Sequence, residues 1–334
     1  MHISGMHVRT TTRLASLLAS IFMLFFVVRL LSFSAETNRQ QPAYAKRSLN
    51  SITMQKISKT AIVDMERLLM ADEIEGFSLC PRWFEIAATL KKCFLSKLST
   101  KMDLWNSIAN VSTACGADFV KNLLRSKYLI NSDDVKAIVP PTDIDFNGIS
   151  LTIGIGNDTS VERRLKKTYP NIRFFGADPI YEAGKVFRNI GEYKQLGVSE
   201  KGGTFNASVL EGNKYVWRTI ETVTVESLLR AFGIAHVDFL FLDIEGAEYS
   251  VLPVLSTQTS ELNETFCQIN VEIHGPLVDY GMTSGAFARL LNSVMSRESP
   301  YVPLWIPQPT MHHRLFLVNW KNLRCVKNFF AHWC

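Results

Sequence analysis

The stretch Val237–Leu255 reads V-D-F-L-F-L-D-I-E-G-A-E-Y-S-V-L-P-V-L and combines a buried strand, an acidic turn and the start of a helix. Its uninterrupted apolar run is typical of a strand covered on both faces, as in a parallel sheet. Asp243 and Glu245 follow where that strand ends, and ligands of open α/β sheets bind beyond the carboxyl ends of the strands. We therefore interpret both carboxylates, with Gly246 beside them, as site residues. The alternative is that one of them only caps the next helix, which Pro253 should limit.

The chain of 334 residues is long enough for one large domain or two smaller ones, and its net charge of +5 is spread along the sequence. Because there is no basic run, the composition gives no support for nucleic-acid binding. The order of patterns predicts a cytoplasmic tail, a membrane anchor, a polar stem, a helical subdomain and an α/β domain, at residues 1–13, 14–33, 34–58, 59–145 and 146–334.

The predicted anchor is an apolar segment long enough to cross a bilayer. Residues 14–33 contain one charged residue, Arg29, whose side chain can snorkel to the interface. Arg9 and Arg13 on the short flank favour a cytoplasmic N-terminus and export of the remainder. We interpret the segment as the signal anchor of a single-pass type II membrane protein in the ER or Golgi. The alternative is a cleaved signal peptide and a secreted protein.

The six cysteines show none of the short paired spacings of a zinc site. In an exported chain they would form disulfides, whose pairing the sequence leaves open. Asn110, Asn206 and Asn263 begin N-x-S/T triplets, which accept N-linked glycans in exported proteins. Asn157 begins a fourth triplet, but it lies in the glycine turn described below and we expect it to be unmodified.

Apolar residues recur at helical spacing from Thr60 to Val139, which predicts a helical region whose tryptophans belong to the core. After Pro140 and Pro141 the pattern alternates between strands and helices, as in proteins with a parallel sheet. We predict seven strands, the last two forming a terminal antiparallel hairpin, at residues 149–155, 172–177, 196–199, 239–242, 266–274, 301–306 and 315–320. A helix is predicted from Tyr181 to Ile190.

A glycine turn follows the first of these strands and is typical of a nucleoside-binding loop. Gly154 and Gly156 would let the backbone approach a ligand, and Asp178 at the end of the second strand can accept ribose hydroxyls. Thr159 occupies the position of the third glycine of a dinucleotide fingerprint. We therefore expect a mononucleoside cofactor such as S-adenosylmethionine rather than NAD. Thr159 should also form a capping box with Glu162.

The strand Phe266–His274 is unusual because every second residue is polar, which places one polar face in the middle of the sheet. Buried polar groups need partners, so this face requires an explanation. His274 ends the strand expected beside the central one. It should therefore lie near Asp243, and Glu272 on the same face could orient it.

Five segments, in this order, resemble the FkbM-type methyltransferases, in particular the branch abundant in nematodes: L-T-I-G-I-G-N-D, F-F-G-A-D-P, V-T-V-E-S-L-L-R, V-D-F-L-F-L-D-I-E-G-A-E-Y and C-Q-I-N-V-E-I-H. The resemblance covers about Ile149 to Val326, and C-P-R-W-F around Cys80 is also similar to that branch. It implies an α/β, Rossmann-like class I methyltransferase sheet of seven mostly parallel strands with an antiparallel terminal hairpin. It also implies use of S-adenosylmethionine and O-methylation of a hydroxyl. If the α/β domain is exported, we expect the acceptor to be a glycan or a small molecule.

By position, the resemblance implies a cofactor site formed by Gly154, Gly156, Asn157, Asp178 and Asp243. Asp243 and Glu245 would lie between cofactor and acceptor. The commonest family form carries an acid before the glycines, where this chain has Thr152 and Ile153.

Methyl transfer to an alcohol needs in-line approach and gains from a base that removes the hydroxyl proton. His274 is the candidate base, and Asp243 and Glu245 are alternatives. A structural, hydrogen-bonded role for His274 also remains open. We expect no metal because no complete ligand set is evident, although these three residues together offer ligand atoms.

Two other functions stay open at this point. A methyltransferase-like fold without catalysis could serve as a binding module. A Golgi glycosyltransferase would share the anchor and stem, and its metal-binding D-x-D would be Asp143-Ile144-Asp145. That motif lies in a linker before the first strand rather than at a strand end, which counts against this alternative.

Overall fold

The computed structural model describes residues 79–99, 103–122, 126–132, 134–211, 214–256, 265–275, 281–309 and 311–334. The predicted tail, anchor and stem lie outside these residues, as does Asn263. Within the described ranges, no helix is long and apolar enough to cross a membrane.

The described strands, in chain order, are β1 (Lys127–Ile130), β2 (Val135–Ile138), β3 (Ile149–Ile153), β4 (Arg173–Ala177), β5 (Glu192–Lys194), β6 (Gly197–Val198), β7 (Gly203–Glu211), β8 (Lys214–Val223), β9 (His236–Leu242), β10 (Thr265–Ile273), β11 (Tyr301–Trp305) and β12 (His313–Asn319). The described α-helices are α1 (Pro81–Leu98), α2 (Leu104–Asn122), α3 (Ser160–Thr168), α4 (Tyr181–Gly184), α5 (Val225–Phe232), α6 (Glu248–Ser256), α7 (Ser284–Met295) and α8 (Leu323–Phe330).

Seven strands form the central sheet in the order β11-β12-β10-β9-β3-β4-β5. β12 is antiparallel to both of its neighbours, and the other adjacent pairs are parallel. The prediction of a mostly parallel seven-stranded sheet with a terminal antiparallel hairpin is confirmed. Because β4, β3, β9 and β10 are parallel neighbours, their carboxyl ends meet along one edge.

The central strand β9 contributes to the core on both faces, as its apolar run predicts. Phe239 and Phe241 belong to one buried cluster, which also contains Phe329 of α8. Leu240 and Leu242 belong to a second cluster on the other face. The sheet is therefore packed between two apolar layers, one on each face.

The polar face of β10 binds the hairpin β1–β2 through side-chain amides. Gln268 accepts a hydrogen bond from Val139 N at 2.8 Å and donates one to Val139 O at 2.9 Å. Asn270 makes the same pair of bonds with Ala137, both at 2.8 Å. The buried amides are thus satisfied by the backbone of β2 and its extension.

The prediction of helical structure as far as Val139 is wrong for this hairpin. Residues 127–138 form two antiparallel strands. The backbone amides of Ala137 and Val139 donate to the side chains of Asn270 and Gln268, which lie about 130 residues later in the sequence. Local apolar spacing carries no information about such partners, so tertiary contacts override it.

The third strand of the sheet also differs from its prediction. Glu192–Lys194 pairs with β4, whereas Gly197–Val198, within the predicted strand, pairs with β8 in a separate three-stranded sheet of order β6-β8-β7. A short, polar edge strand has no apolar alternation to reveal it. The helix expected from Tyr181 to Ile190 is one α-helical turn followed by a 3₁₀ segment at Lys185–Asn189.

Two local helix signals do not have the predicted effect. The Thr159 side chain makes no capping bond; Asp158 Oδ1 accepts the Ser160 N–H instead, at 2.7 Å. Glu162 accepts from the Thr152 hydroxyl at 2.6 Å, so the expected capping box is wrong. Pro253 does not end α6, which continues to Ser256.

Three disulfides pair all six cysteines: Cys80–Cys334, Cys93–Cys115 and Cys267–Cys325. The first joins the residue before α1 to the last residue of the chain, the second joins α1 to α2, and the third joins β10 to α8. The expectation of disulfides is confirmed, and the structure selects the pairing that the sequence left open.

Candidate active site

Four neighbouring strands end at one cleft edge, and each places one predicted site residue there. His274 follows β10, Asp243 follows β9, Gly154 follows β3 and Asp178 follows β4. The parallel arrangement thus brings together residues that are up to 120 positions apart in the sequence. This edge is where ligands bind in open α/β sheets.

The glycine loop after β3 is pressed against the acidic turn after β9. A Cβ on Gly154 would lie 1.6 Å from the carbonyl oxygen of Asp243, and Gly154 has φ +81°, so this position requires glycine. Gly156 also has positive φ, but no atom lies within 4 Å of where its Cβ would be. Asn157, also at positive φ (67°), is exposed beside it. The outer side of the loop is therefore open to a ligand.

Asp178 fixes the shape of this loop. Its Oδ2 accepts hydrogen bonds from Ile155 N at 2.8 Å and Gly156 N at 3.3 Å, and its Oδ1 accepts one from Ile180 N at 2.8 Å. The residue is 6% exposed. Burial raises the pKa of its carboxyl. The three amide hydrogen bonds favour the ionised form and lower the pKa, but burial has the larger effect. A carboxylate has about four acceptor sites, so capacity remains for a ribose hydroxyl. The bonds to Ile155 N and Gly156 N, which brace the glycine loop, were not predicted.

The commonest family form has an acid before the glycines, which this chain lacks. A buried carboxyl from helix α3 lies beside that position instead. Glu162 of α3 is 2% exposed and bonds Thr152, the residue that stands near the family's acid. Burial raises the pKa of the Glu162 carboxyl. This carboxyl therefore binds β3 from α3, in place of the capping box predicted with Thr159.

Glu248 organises the acidic turn and was missed by the sequence analysis. It is fully buried. Its two oxygens accept from Ile244 N and Gly246 N, both at 2.8 Å. Glu245, between these residues, is held at φ +55°. The second glutamate of E-G-A-E was the available signal, because a carboxylate at the start of a helix can reach back to backbone amides of the preceding turn.

His274 is held by three carboxylates. Its Nδ1 lies 3.0 Å from Glu248 Oε1, and its Nε2 lies 3.3 Å from Glu245 Oε2 and 3.6 Å from Asp243 Oδ1. The Tyr249 hydroxyl donates to the His274 carbonyl at 2.8 Å. The structure therefore brings the three predicted catalytic residues together.

Glu272 does not orient His274, contrary to the prediction. It forms an ion pair with Arg314 at 2.9 Å, its cross-strand partner on β12. Arg314 in turn pairs with Asp134 beside β2. The antiparallel register of β12, which the sequence did not reveal, supplies a closer cation than the imidazole.

The pKa values of both His274 and Asp243 are raised in this cluster. Burial lowers the pKa of His274, but the hydrogen bond and charge of Glu248, with the charges of Asp243 and Glu245, raise it to about 9. Burial and the charge of Glu272 raise the pKa of Asp243 to about 7, although His274 opposes this. At neutral pH the imidazole is therefore already protonated, which makes it a poor base and makes Asp243 the better one.

Residues 121–295 match the family described as Methyltransferase FkbM domain, which is more than half of the chain. The chain belongs to the FkbM methyltransferase family. The matched range contains the glycine loop, Asp178, the acidic turn and His274, so all predicted site residues lie inside it. It begins before β1, so the hairpin β1–β2 also lies within the matched range. No curated protein matches the chain.

The D-x-D motif lies at the other end of the sheet from the cleft edge. Asp143 and Asp145 precede β3 and are therefore at its amino end, whereas Gly154 and Asp243 are at carboxyl ends. Asp143 Oδ1 accepts from Asp145 N at 2.9 Å, a local turn. This position does not support a glycosyltransferase site.

Among the described residues, two groups offer metal-ligand atoms within 4.8 Å of one another: Asp243, Glu248, His274 and Glu272, His274, His312. Glu248 is already bound by two backbone amides, and Glu272 by Arg314. These existing partners disfavour metal binding by Glu248 and Glu272. The expectation that the site holds no metal stays a prediction.

The protonation state of His274 is directly measurable. Ring ¹H–¹⁵N NMR signals should show His274 protonated up to about pH 9, while neighbouring His312, whose pKa burial and His274 lower to about 4, stays neutral. The pKa of His274 is higher in the folded protein than the unfolded value of about 6.5. Protonated His274 therefore stabilises the folded state fully below about pH 6.5, and this contribution is lost as the pH rises to about 9. Glu248→Gln should lower the His274 pKa. Titration of His274 near pH 6.5 in the wild type would contradict this arrangement.

Proposed function

We propose that the protein transfers the methyl group of S-adenosylmethionine to a hydroxyl oxygen. The observation that carries the proposal is the contact between the open glycine loop, braced by Asp178, and the turn that bears Asp243. Gly154, Gly156, Asn157 and Asp178 would hold the cofactor, with a nucleoside facing the open side of the loop. When bound, the cofactor supplies an electrophilic methyl group on a sulfonium centre.

Asp243 is the proposed base. Although its side chain is 37% exposed, its Oδ1 atom is buried and accepts no hydrogen bond from the described residues. An acceptor hydroxyl bound at the exposed part of this carboxylate would donate its proton to it as the hydroxyl oxygen bonds to the methyl carbon and the carbon–sulfur bond breaks, leaving the electron pair on sulfur. With a pKa of about 7, Asp243 is suited to accept that proton at neutral pH.

His274 and Glu248 position this base. The imidazolium lies 3.6 Å from Asp243 Oδ1, so its charge favours the ionised form of the carboxylate against the effects of burial and Glu272 on the Asp243 pKa. Glu248 holds the other ring nitrogen and the two amides of the turn. Glu245, next to Nε2, would face the acceptor. We therefore change the role of His274 from base, as the sequence analysis had it, to a fixed positive charge.

We further propose a glycan or small-molecule acceptor, a place in the secretory pathway as a type II membrane protein, and membership of the nematode branch. The three disulfides support export, because such bonds persist in oxidising compartments. The similarity of C-P-R-W-F supports the branch. Loss of apparent mass on glycosidase treatment, with protection from protease in sealed microsomes, would support export. Unmodified sequons and a protease-sensitive domain would contradict it.

Calorimetric titration of the protein with S-adenosylmethionine and, separately, with a sugar nucleotide plus manganese tests the proposed function. Binding of the first alone is expected. Binding of neither ligand by a folded protein would favour the inactive module. Binding of the sugar nucleotide alone would favour the glycosyltransferase and refute the proposal.

A further inference from the structure

The hairpin β1–β2 carries a buried cation to the cofactor edge. Asn270 and Gln268 hold β2 and its extension against β10, and Lys136 lies on β2 next to Ala137. The Lys136 side chain is 12% exposed, and its ammonium donates to Asp134 Oδ2 at 2.6 Å. The region that was predicted to be helical thus contributes a charged side chain at this edge.

The ammonium of Lys136 is surrounded by acids from three other elements. It lies within electrostatic reach of Asp243 after β9, Glu272 on β10 and Glu162 on α3. Ala137, the residue after Lys136, bonds Asn270 near the carboxyl end of β10. Lys136 therefore lies toward the same edge of the sheet as Asp243.

Lys136 also has hydrogen-bonding capacity to spare. An ammonium group has three donors, and among the described residues Lys136 uses one, to Asp134. Arg314, the other cation of this network, pairs with both Asp134 and Glu272. Lys136 is thus the better placed of the two to bind an incoming anion.

The amino-acid end of S-adenosylmethionine bears a carboxylate, which the acidic residues of this edge would repel. With ribose at Asp178 and the sulfonium facing Asp243, that end must extend from the sulfur near the acidic turn. We propose that Lys136 binds the cofactor's carboxylate and so offsets this repulsion. The inference rests on the proposed use of S-adenosylmethionine and names a specificity-determining residue for it.

Decarboxylated S-adenosylmethionine tests the inference because it lacks only the carboxylate. Wild-type full-length protein should bind S-adenosylmethionine at least about tenfold more tightly than the decarboxylated form, the usual effect of a hydrogen bond between charged groups. Lys136→Gln should bind both ligands with equal affinity, because removing either partner removes the same interaction. Lys136→Arg should retain the preference. Lys127→Gln, in the other strand of the hairpin, is the matched control and should behave as the wild type.

The outcomes separate this inference from the proposed function. If Lys136→Gln keeps the preference, or the wild type shows none, Lys136 does not bind the carboxylate, while S-adenosylmethionine binding itself stands. If the wild type binds neither ligand, the proposed function fails and the inference with it. Thermal unfolding checks that each variant is folded; should Lys136→Gln not fold, the same comparison is made with Lys136→Met.

Discussion

Replacing Asp178 with alanine should abolish S-adenosylmethionine binding, with an affinity loss of at least about 100-fold, roughly 3 kcal/mol. The variant removes the acceptor of three backbone amides, Ile155, Gly156 and Ile180. Unsatisfied buried amides cost about 1–3 kcal/mol each, so the loop should leave its binding conformation, and the ribose should also lose an acceptor. Calorimetric titration measures the loss, and circular dichroism confirms that the sheet remains folded.

Asp143→Ala is the matched control for this experiment. Asp143 is an exposed loop carboxylate at the amino end of β3, where it accepts one bond from Asp145 N. Its removal should leave the cofactor affinity unchanged. An Asp178→Ala variant that binds within a few-fold of the wild type would refute the assigned cofactor site. Loss of function in Asp143→Ala instead would point to the glycosyltransferase.

Replacing Asp243 with asparagine should slow methyl transfer by about 10²- to 10⁴-fold, the usual contribution of a general base. The amide has the same shape but cannot accept the proton. Cofactor affinity should change only a few-fold, because the loop contact uses the Asp243 carbonyl and N–H rather than its side chain. Transfer of labelled methyl to a hydroxyl acceptor found by screening glycans and small molecules measures the rate.

Glu245→Gln and His274→Gln complete this set. Glu245 is exposed at the outer side of the cluster, so Glu245→Gln should reduce the rate only a few-fold. His274→Gln should reduce the rate less than Asp243→Asn, since it removes a positioning charge. If Asp243→Asn keeps the wild-type rate while His274→Gln abolishes it, then His274 is the base, as the sequence analysis first proposed.

Much of the fold was predictable because its signals are local. The apolar run of β9, the glycines after β3 and the acids after β4 and β9 each indicate a strand end within a few residues. The rule that parallel strands end at one edge then places Asp178, Asp243 and His274 together. Two of the failures were local as well: the edge strand Glu192–Lys194 is too short to show an apolar alternation, and the Thr159 capping signal competes with Asp158 and Thr152.

The sequence by itself determined the order of most strands of the central sheet, the family resemblance and the position of Asp178, Asp243 and His274 at strand ends, because these follow from patterns of neighbouring residues. Only the tertiary structure decided what those side chains do. Ala137 and Asn270 are 133 positions apart, and their contact places Lys136 in the site. The pKa of His274 depends on three carboxylates that the turn after β9 folds around it. Charge and hydrogen bonding depend on distance in space, which residue spacing does not specify.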